Sequence, residues 1–215
     1  MRTIKKVASH IFIDGFGGMT QGLFATLIIG TMIQQIGLLI GGSTGNVIYL
    51  LGKAAAALTS AGIGVGVAVK YGESPLVTVS AAVAAMVGGY AGKITGGTFF
   101  VDGNAVLAGP GEPLGAFIAA FAGITCGHLV SGKTKVDIIV TPVITIGAGS
   151  VVGLLVGPPI SQMMTGLGSI INWATEQRPF IMGIVVSVVM GMVLTLPISS
   201  AALGIILNLS GLAAG

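Results

Sequence analysis

The sequence is poor in charge: Asp, Glu, Lys and Arg make up 7% of its 215 residues, whereas a soluble globular domain carries about 25%. Six acidic and nine basic side chains are too few to build a water-facing surface. The basic residues stand singly or in small groups and form no stripe of the kind that binds nucleic acid. The composition therefore argues against a soluble domain and predicts no nucleic-acid partner.

Cysteine and histidine are also scarce. Cys126 is the one cysteine of the chain, so the sequence supplies neither a disulfide framework nor a cysteine-based metal site. The two histidines, His10 and His128, are far apart, and no Ser or Cys nucleophile occurs in a recognisable catalytic setting. We therefore predict no catalytic residue, no metal site and no cofactor.

Apolar residues and glycine take the place of the missing charge. Hydrophobic side chains make up 53% of the chain, 37 residues are glycine, and the mean hydropathy is +1.04. Charge-free stretches recur that are about long enough to cross a bilayer, which takes roughly 20 residues. We predict an all-α fold, a polytopic transmembrane bundle of six to seven spans in a single domain over residues 1–215. The spans are 16–40, 47–69, 75–92, 113–131, 138–157, 179–196 and 198–215. Alternatively, the last two form a single kinked element.

One segment does not fit this pattern. Residues 94–112, "ITGGTFFVDGNAVLAGPGE", are too polar and too rich in glycine to span a bilayer. Such backbone occurs at membrane depth only where protein or a water-filled cavity covers it. We therefore predict a re-entrant or external loop that does not cross the membrane.

The cations predict an orientation, because cytoplasmic loops are enriched in Lys and Arg. With a cytoplasmic N-terminus, a count of crossings puts more cations inside than outside. Those inside are Arg2, Lys5, Lys6, Lys70, Lys133 and Lys135, and those outside are Lys93 and Arg178. We predict a multi-pass protein of the plasma membrane with its N-terminus in the cytoplasm.

The stretch from 138 to 177 contains two further signals. Glycines at four-residue intervals in "GSVVGLLVG" (149–157) are typical of close helix contacts. The prolines of "GPP" (157–159) predict the end of that span, and residues 160–177 predict a separate interfacial or partly inserted helix anchored by Trp173.

Residues 127–134, "GHLVSGKT", match the spacing of a Walker A phosphate loop. That loop needs a strand before it and a helix after it, so that backbone N–H groups converge on the phosphates. Here an apolar, helix-like run comes first, and Pro142 interrupts any helix that follows. We interpret the stretch as a cytoplasmic loop whose lysines mark topology.

Polar residues at membrane depth are costly and are candidates for function. Glu112, between Pro110 and Pro113, either accepts solute hydroxyls or a proton, or it caps the following helix, whose dipole favours an anion. Asn104 is a second candidate, although "VDGNAV" also resembles a simple turn. Lys53, well inside its span, is interpreted as snorkelling to an interface.

A family resemblance rests on the order of features from 136 to 204. These are "VDIIVTPVITIGAGSVVGLLVGPPI", then "SQMMTGLGSIINWATEQ", then "RPFIMGIVVSVVMGMVLTLPISSAALG". The order resembles the membrane-embedded IIC component of the phosphoenolpyruvate-dependent sugar phosphotransferase system, the fructose type in particular. "GEPLGAFIAAFAGITCGHLVSG" and "GFGGMTQGLFATLIIG" are similar to earlier spans of that family.

The resemblance implies a homodimeric membrane component that holds a sugar, with soluble IIA and IIB partners performing the phosphoryl chemistry. In "LTLPISSAALG", Pro197 matches the family, but Ser199 and Ser200 replace its Asn-Lys pair. Because serines also bind hydroxyls, the candidate solute-binding residues are Glu112, Asn104, Ser199 and Ser200. The apolar ending, before the family's glutamate-containing substrate loop, predicts a chain truncated at its C-terminus.

We therefore predict a permease component that binds and translocates a sugar or related small polar solute. Two alternatives stay open from the sequence. One is a membrane-embedded sensor or regulator with a IIC-like fold, which the loss of the Asn-Lys pair favours. The other is an ion-coupled solute transporter, in which Glu112 would hold the proton or cation.

Overall fold

The computed structural model describes residues 10–107 and 109–175, together with 183, 184, 187, 188 and 191. The helices are α1 (Ile13–Ile40), α2 (Gly42–Ala57), α3 (Thr59–Lys70), α4 (Pro75–Gly89), α5 (Ala91–Thr95), α6 (Pro113–Val130) and α7 (Asp137–Thr175). A two-stranded antiparallel hairpin, β1 (Phe100–Val101) and β2 (Asn104–Ala105), lies between α5 and α6. The predicted all-α fold is confirmed.

Within the described residues, α1, α6 and α7 are long and apolar enough to cross a membrane. The helices α2 and α3 pass the same test as a pair, but they are bent by 53° at the break between them. The predicted span 47–69 is therefore a broken helix. The apolar helix α4 has 15 residues, and the predicted spans 179–196 and 198–215 lie almost entirely outside the described residues.

The helices α4 and α6 begin with the same local signal, a capping side chain followed by proline. Ser74 accepts a hydrogen bond from the backbone N–H of Val77 at 3.4 Å, and Glu112 Oε2 accepts one from Gly115 at 2.7 Å. Each cap satisfies one of the N–H groups that the first helical turn leaves without a partner. The proline after each cap has no N–H to leave unpaired.

The core lies between the first half of α1 and the helices α3, α4 and α6. Its buried side chains include Met19, Leu23, Ile63, Val67, Val77, Ala81, Ala120 and Ile124. Phe16 stacks on Phe117 with ring centroids 4.8 Å apart, which joins α1 to α6. Outside this group, the second half of α1 packs on α2, and α7 packs on α4 and α6.

The contact of α7 with α4 and α6 is made by glycine, as the spacing in the sequence predicts. A Cβ at Gly149 would lie 2.6 Å from the carbonyl oxygen of Ala119, and one at Gly153 would lie 2.8 Å from the Cα of Gly88. A Cβ at Gly123 would meet the carbonyl oxygen of Thr145 at 2.6 Å. At these positions the backbones are close enough that a larger residue forces them apart.

The helix α7 continues where the sequence predicts an interruption. It has 39 residues and contains Pro142, Pro158 and Pro159, so it is roughly 58 Å long. The two adjacent prolines remove intrahelical hydrogen bonds, but neighbours hold the helix beyond them. A Cβ at Gly92 would lie 3.2 Å from Ser161 Oγ, and Met164 is only 2% exposed. The separate helix predicted over 160–177 is thus part of α7 as far as residue 175.

The segment from 94 to 112 leaves α4 and returns to the same end of it. After α5 comes the hairpin, whose turn contains Asp102 (φ 50°) and Gly103 (φ 77°), the left-handed conformation of a tight type I′ turn. At the far end, the backbone N–H of Glu112 donates to the carbonyl oxygen of Gly89 at 2.7 Å. Because the segment begins and ends beside α4, it is a loop that does not cross the bundle, as predicted.

The loops between α3 and α4 and between α6 and α7 meet at the opposite end of the bundle. His128 pairs with Glu73 at 3.0 Å, and the hydroxyls of Ser74 and Ser131 are 2.9 Å apart. The start of α1 lies at the same end, since a Cβ at Gly15 would meet the Tyr71 ring hydroxyl and one at Gly17 would lie 3.9 Å from Lys70 Cε.

Candidate functional site

A cavity of about 260 Å³ opens beside the break between α2 and α3. Three parts of the chain form its wall: the second half of α1, the end of α2, and the last residues of the long loop. The lining residues are Leu27, Thr31 and Gln34 of α1, Lys53, Ala56 and Ala57 of α2, and Leu107, Gly109 and Pro110 of the loop. Most of the wall is apolar, with three polar side chains, which is typical of small-molecule sites.

The break that opens the cavity follows from hydroxyl residues in "ALTSA". Thr59 Oγ1 donates to the carbonyl oxygen of Ala56 at 2.6 Å, a bond back along the helix of the kind that bends helices. The carbonyl oxygen of Ala57 accepts a hydrogen bond from the Tyr90 hydroxyl at 3.2 Å. A broken helix at membrane depth requires such substitutes for its lost backbone hydrogen bonds.

The loop wall is fixed to the bundle by hydrogen bonds at successive residues. Ser60 Oγ donates to the carbonyl oxygen of Pro110 at 2.9 Å. The Tyr90 hydroxyl is also within hydrogen-bonding distance of the carbonyl oxygen of Gly109, and Tyr90 is 1% exposed. Gly111 has φ 76°, and a Cβ there would lie 3.1 Å from the carbonyl oxygen of Gly89. Only glycine fits that position without strain.

The helices α1 and α2 are in backbone contact next to the polar part of the cavity. A Cβ at Gly52 would lie 2.6 Å from the backbone N of Gln34, and one at Gly30 would lie 2.8 Å from the backbone N of Ala56. Lys53, the next residue of α2, lines the same cavity as Gln34. The close contact brings polar groups from both helices to one wall of the cavity.

The two α1 side chains have unused hydrogen-bonding capacity. Thr31 Oγ1 donates to the carbonyl oxygen of Ile28 at 2.8 Å, which leaves the hydroxyl oxygen free to accept. Gln34 Nε2 makes one long bond of 3.4 Å to the carbonyl oxygen of Gly30, so its amide oxygen and second N–H have no described partner. Together these groups can both donate to and accept from a hydroxylated ligand.

Glu112 lies behind the loop wall. Its Oε2 caps α6 through Gly115, while its Oε1 is buried without a hydrogen-bond partner in the described part of the chain. The hydrogen bond from Gly115 thus has the geometry that the capping interpretation requires. Solute or proton binding by Glu112 stays a prediction, because the side chain is not among the cavity-lining residues.

The other predicted solute-binding residues are not brought to the cavity wall. Asn104 is exposed in the hairpin, and its Nδ2 donates to the carbonyl oxygen of Asp102 at 3.3 Å. That contact is the turn geometry which "VDGNAV" suggests. Ser199 and Ser200 lie outside the described residues.

Sequence reasoning missed Thr31 and Gln34, and it interpreted Lys53 as a snorkelling side chain. A signal was present, since Thr31 and Gln34 are three residues apart on one face of an otherwise apolar helix. Their convergence with Lys53 depends on the α1–α2 contact, which spans nearly twenty residues of sequence and has no local signature.

Neither a metal nor a nucleotide phosphate has a described site. No group of three or more His, Cys, Asp or Glu side chains that could hold a metal ion occurs among the residues the structure describes. The Walker-like stretch is the last turn of α6 followed by a tight turn, in which Gly132 (φ 72°) donates to Asp137 Oδ1 at 2.9 Å. A phosphate loop would precede a helix and point its N–H groups at the ligand.

Comparison with known proteins gives one family. The family model described as "Phosphotransferase system, EIIC" matches residues 13–215. Searches of curated proteins and of solved structures each gave no match. The match covers nearly the whole chain, including α1, both halves of the broken helix and the loop that closes the cavity.

Proposed function

Because the chain belongs to the EIIC family of the phosphotransferase system, we propose that it binds a sugar or related small polar solute and carries it across the membrane. The site is the cavity beside the break between α2 and α3, which falls at Leu58. One observation carries the choice of site: a broken apolar helix, a glycine-rich loop and polar side chains of two helices enclose one cavity. Broken helices at substrate sites are a recurring design of membrane transporters.

The chemistry of the wall suits a hydroxylated solute. The amide of Gln34 both donates and accepts, the Thr31 oxygen accepts, and the Lys53 ammonium donates. Leu27, Ala56 and neighbouring apolar groups offer contact for the C–H faces of a sugar ring. The volume of about 260 Å³ suits a monosaccharide, since pockets for larger, drug-sized ligands begin at about 300 Å³.

We further propose that the end of the bundle with Lys70, Glu73, His128 and Lys133 faces the cytoplasm, where the N-terminus of α1 also lies. The support is the grouping of these loops at one end and the enrichment of cytoplasmic loops in cations. Soluble IIA and IIB partners would then approach this end. A homodimer in the plasma membrane is part of the same proposal and rests on family membership.

Uptake into membrane vesicles tests the proposal. Labelled hexoses, hexitols and hexonates are offered with and without a phosphoenolpyruvate-driven phosphotransfer mixture. We expect uptake of at least one solute to depend on that mixture and to fall by about tenfold or more in Gln34→Ala, as loss of hydrogen bonds worth about 1.4 kcal/mol implies. The matched control is Gln21→Ala, which removes an exposed glutamine of the same helix outside this cavity.

Three outcomes oppose the proposal in different ways. Uptake that ignores the mixture but follows a proton gradient supports the ion-coupled transporter. Binding without uptake supports the sensor. Equal loss in Gln34→Ala and Gln21→Ala would mean that the cavity is not the solute site.

A further inference from the structure

We propose that the solute of this cavity is a sugar acid, a polyhydroxylated carboxylate of monosaccharide size, and that Lys53 binds its carboxylate. This inference rests on the proposed function, because it names the class of solute for the same cavity. It arises from the charge of the cavity wall.

Lys53 is the one charged residue among those that line the cavity. Among the described residues, no carboxylate lies within salt-bridge distance of it. The side chain of Lys53 is exposed, so its ammonium can reach a ligand that enters the cavity. Because no carboxylate of the described residues pairs with it, a bound anion can form charge-assisted hydrogen bonds with this ammonium.

The nearest acid along the loop does not fill this role. Glu112 follows Pro110 by two residues, but its Oε2 is committed to the N–H of Gly115 at the start of α6. Its backbone N–H is bound to Gly89. Glu112 is therefore held toward α4 and α6, and it is not part of the wall that contains Lys53.

The neighbours of Lys53 provide the rest of the recognition. Gln34 lines the same cavity from α1, and Thr31 is three residues earlier on that helix. Both are neutral and suit hydroxyl groups, whereas an ammonium binds a carboxylate through charge-assisted hydrogen bonds about twice as strong as neutral ones. The set of one cation and two neutral groups fits a solute with one charged end and a hydroxylated chain.

The test compares solutes that differ only in charge. Gluconate and glucitol share the same carbon chain and differ at C1, as do galactonate and galactitol, and mannonate and mannitol. Binding to the 215-residue chain in lipid nanodiscs is measured by calorimetry. In the wild type, we expect the acid of at least one pair to bind tenfold or more tightly than its alditol.

Substitutions of Lys53 then test whether this residue causes the tighter binding of the acid. We expect Lys53→Gln to abolish the preference for the acid and Lys53→Arg to retain most of it. Lys70→Gln, a change of the same kind in an exposed lysine at the end of α3 and outside the cavity, should leave the preference intact. Helix content and size-exclusion profiles of all three variants confirm that each is folded.

The outcomes separate this inference from the proposed function. If an alditol binds as tightly as its acid, or if the preference survives Lys53→Gln, the sugar-acid proposal is overturned. The proposed site still stands in that case when Gln34→Ala abolishes binding. Preference for glucose 6-phosphate over every hexonate would overturn the carboxylate in favour of a phosphate. Failure of every acid and alditol to bind would overturn the sugar-acid proposal, and the proposed function would fail with it only if the corresponding hexoses do not bind either.

Discussion

Two spans of this molecule pack on their neighbours through glycine, but one is a continuous helix and the other is bent at a break. The helix α7 contacts α4 and α6 at Gly149 and Gly153, on successive turns. The α2–α3 pair contacts α1 at Gly52 and at Gly62, which lie on opposite sides of the 53° break. The glycine contacts of α7 hold its backbone close to α4 and α6, whereas those of α2 and α3 lie on the two sides of a break beside which a cavity opens.

The polar groups of the two regions differ in the same way. Along α7, Thr141 Oγ1 donates to Asp137 at 2.6 Å and Thr145 Oγ1 donates to Thr141 at 2.8 Å, so these buried hydroxyls are satisfied within the helix. At the bend, Gln34 and Lys53 keep hydrogen-bonding capacity that no described residue uses. Ser150 Oγ of α7 is buried without a hydrogen-bond partner among the described residues, whereas the polar side chains at the bend line a cavity that a ligand can enter.

The largest expected effect is in the continuous helix α7. In Gly153→Ala, the new methyl would lie 2.8 Å from the Gly88 Cα and 2.9 Å from the Ala119 Cβ, distances at which backbone must move. We expect a loss of about 2–3 kcal/mol in the free energy of unfolding. Thermal unfolding in detergent should show it, at roughly 2–4 °C per kcal/mol for a chain of this size.

The matched control lies on the same helix. A Cβ at Gly147 would meet nothing within 4 Å, so Gly147→Ala should be neutral or stabilising by up to about 1 kcal/mol, because alanine is the better helix former. If both substitutions have the same effect, close packing by glycine does not distinguish this interface.

The second effect concerns the loop wall of the bent region. Tyr90→Phe removes the O–H that lies between the carbonyl oxygens of Ala57 and Gly109. We expect a loss of about 1.5 kcal/mol of stability and weaker solute binding, since the loop is then held by fewer bonds. Hydrogen exchange should rise at Glu112, whose backbone N–H donates to the carbonyl oxygen of Gly89 at the end of the same loop.

Tyr49→Phe is the control, because the Tyr49 hydroxyl makes no hydrogen bond with any residue the structure describes. It should change neither property. Faster exchange across the whole chain, and not at the loop alone, would argue that Tyr90 supports the core and not the cavity wall.

Much of the packing between α7 and α6 could be predicted from the sequence, because its signals are local. The four-residue glycine spacing of 149–157 predicts the close contact, and the proline after Glu112 predicts where α6 begins. The "GPP" sequence, by contrast, predicts an end of the helix that the structure does not have. Tertiary contacts on both sides of Pro158 and Pro159 outweigh the hydrogen bonds that the prolines remove, and α7 continues.

The cavity could not be predicted, because it depends on how helices meet. The break at Leu58 has no proline. Its sequence signal is weak, namely the hydroxyls of Thr59 and Ser60, which donate to backbone carbonyl oxygens. Lys53 and Gln34 become neighbours only through the close contact of α1 and α2. Hydropathy alone therefore predicts only that Lys53 snorkels to an interface.

The third effect concerns Glu112, which lies between the two regions. Glu112→Ala removes the cap on α6 and should cost about 1 kcal/mol of stability, whereas Glu112→Gln keeps an oxygen that can accept from Gly115 and should cost less. The sequence predicts weaker solute binding in Glu112→Gln with the fold intact. Calorimetric titration of the variant decides this point: an affinity equal to that of the wild type assigns Glu112 to capping alone.

The smallest expected effect lies at the far end of the bundle. His128 pairs with Glu73, but its side chain is 72% exposed, and exposed ion pairs contribute little, about 0.5 kcal/mol or less. His128 is sixteen residues beyond Glu112 along α6, roughly 24 Å, so His128→Gln should leave solute affinity unchanged. Its effect on stability, measured under conditions in which the imidazole is protonated, should vanish at high salt, because solvent-exposed charges are screened. If His128→Gln instead weakens solute binding as much as Gln34→Ala does, then the bend is not the limit of the functional region, and the two ends of α6 act together.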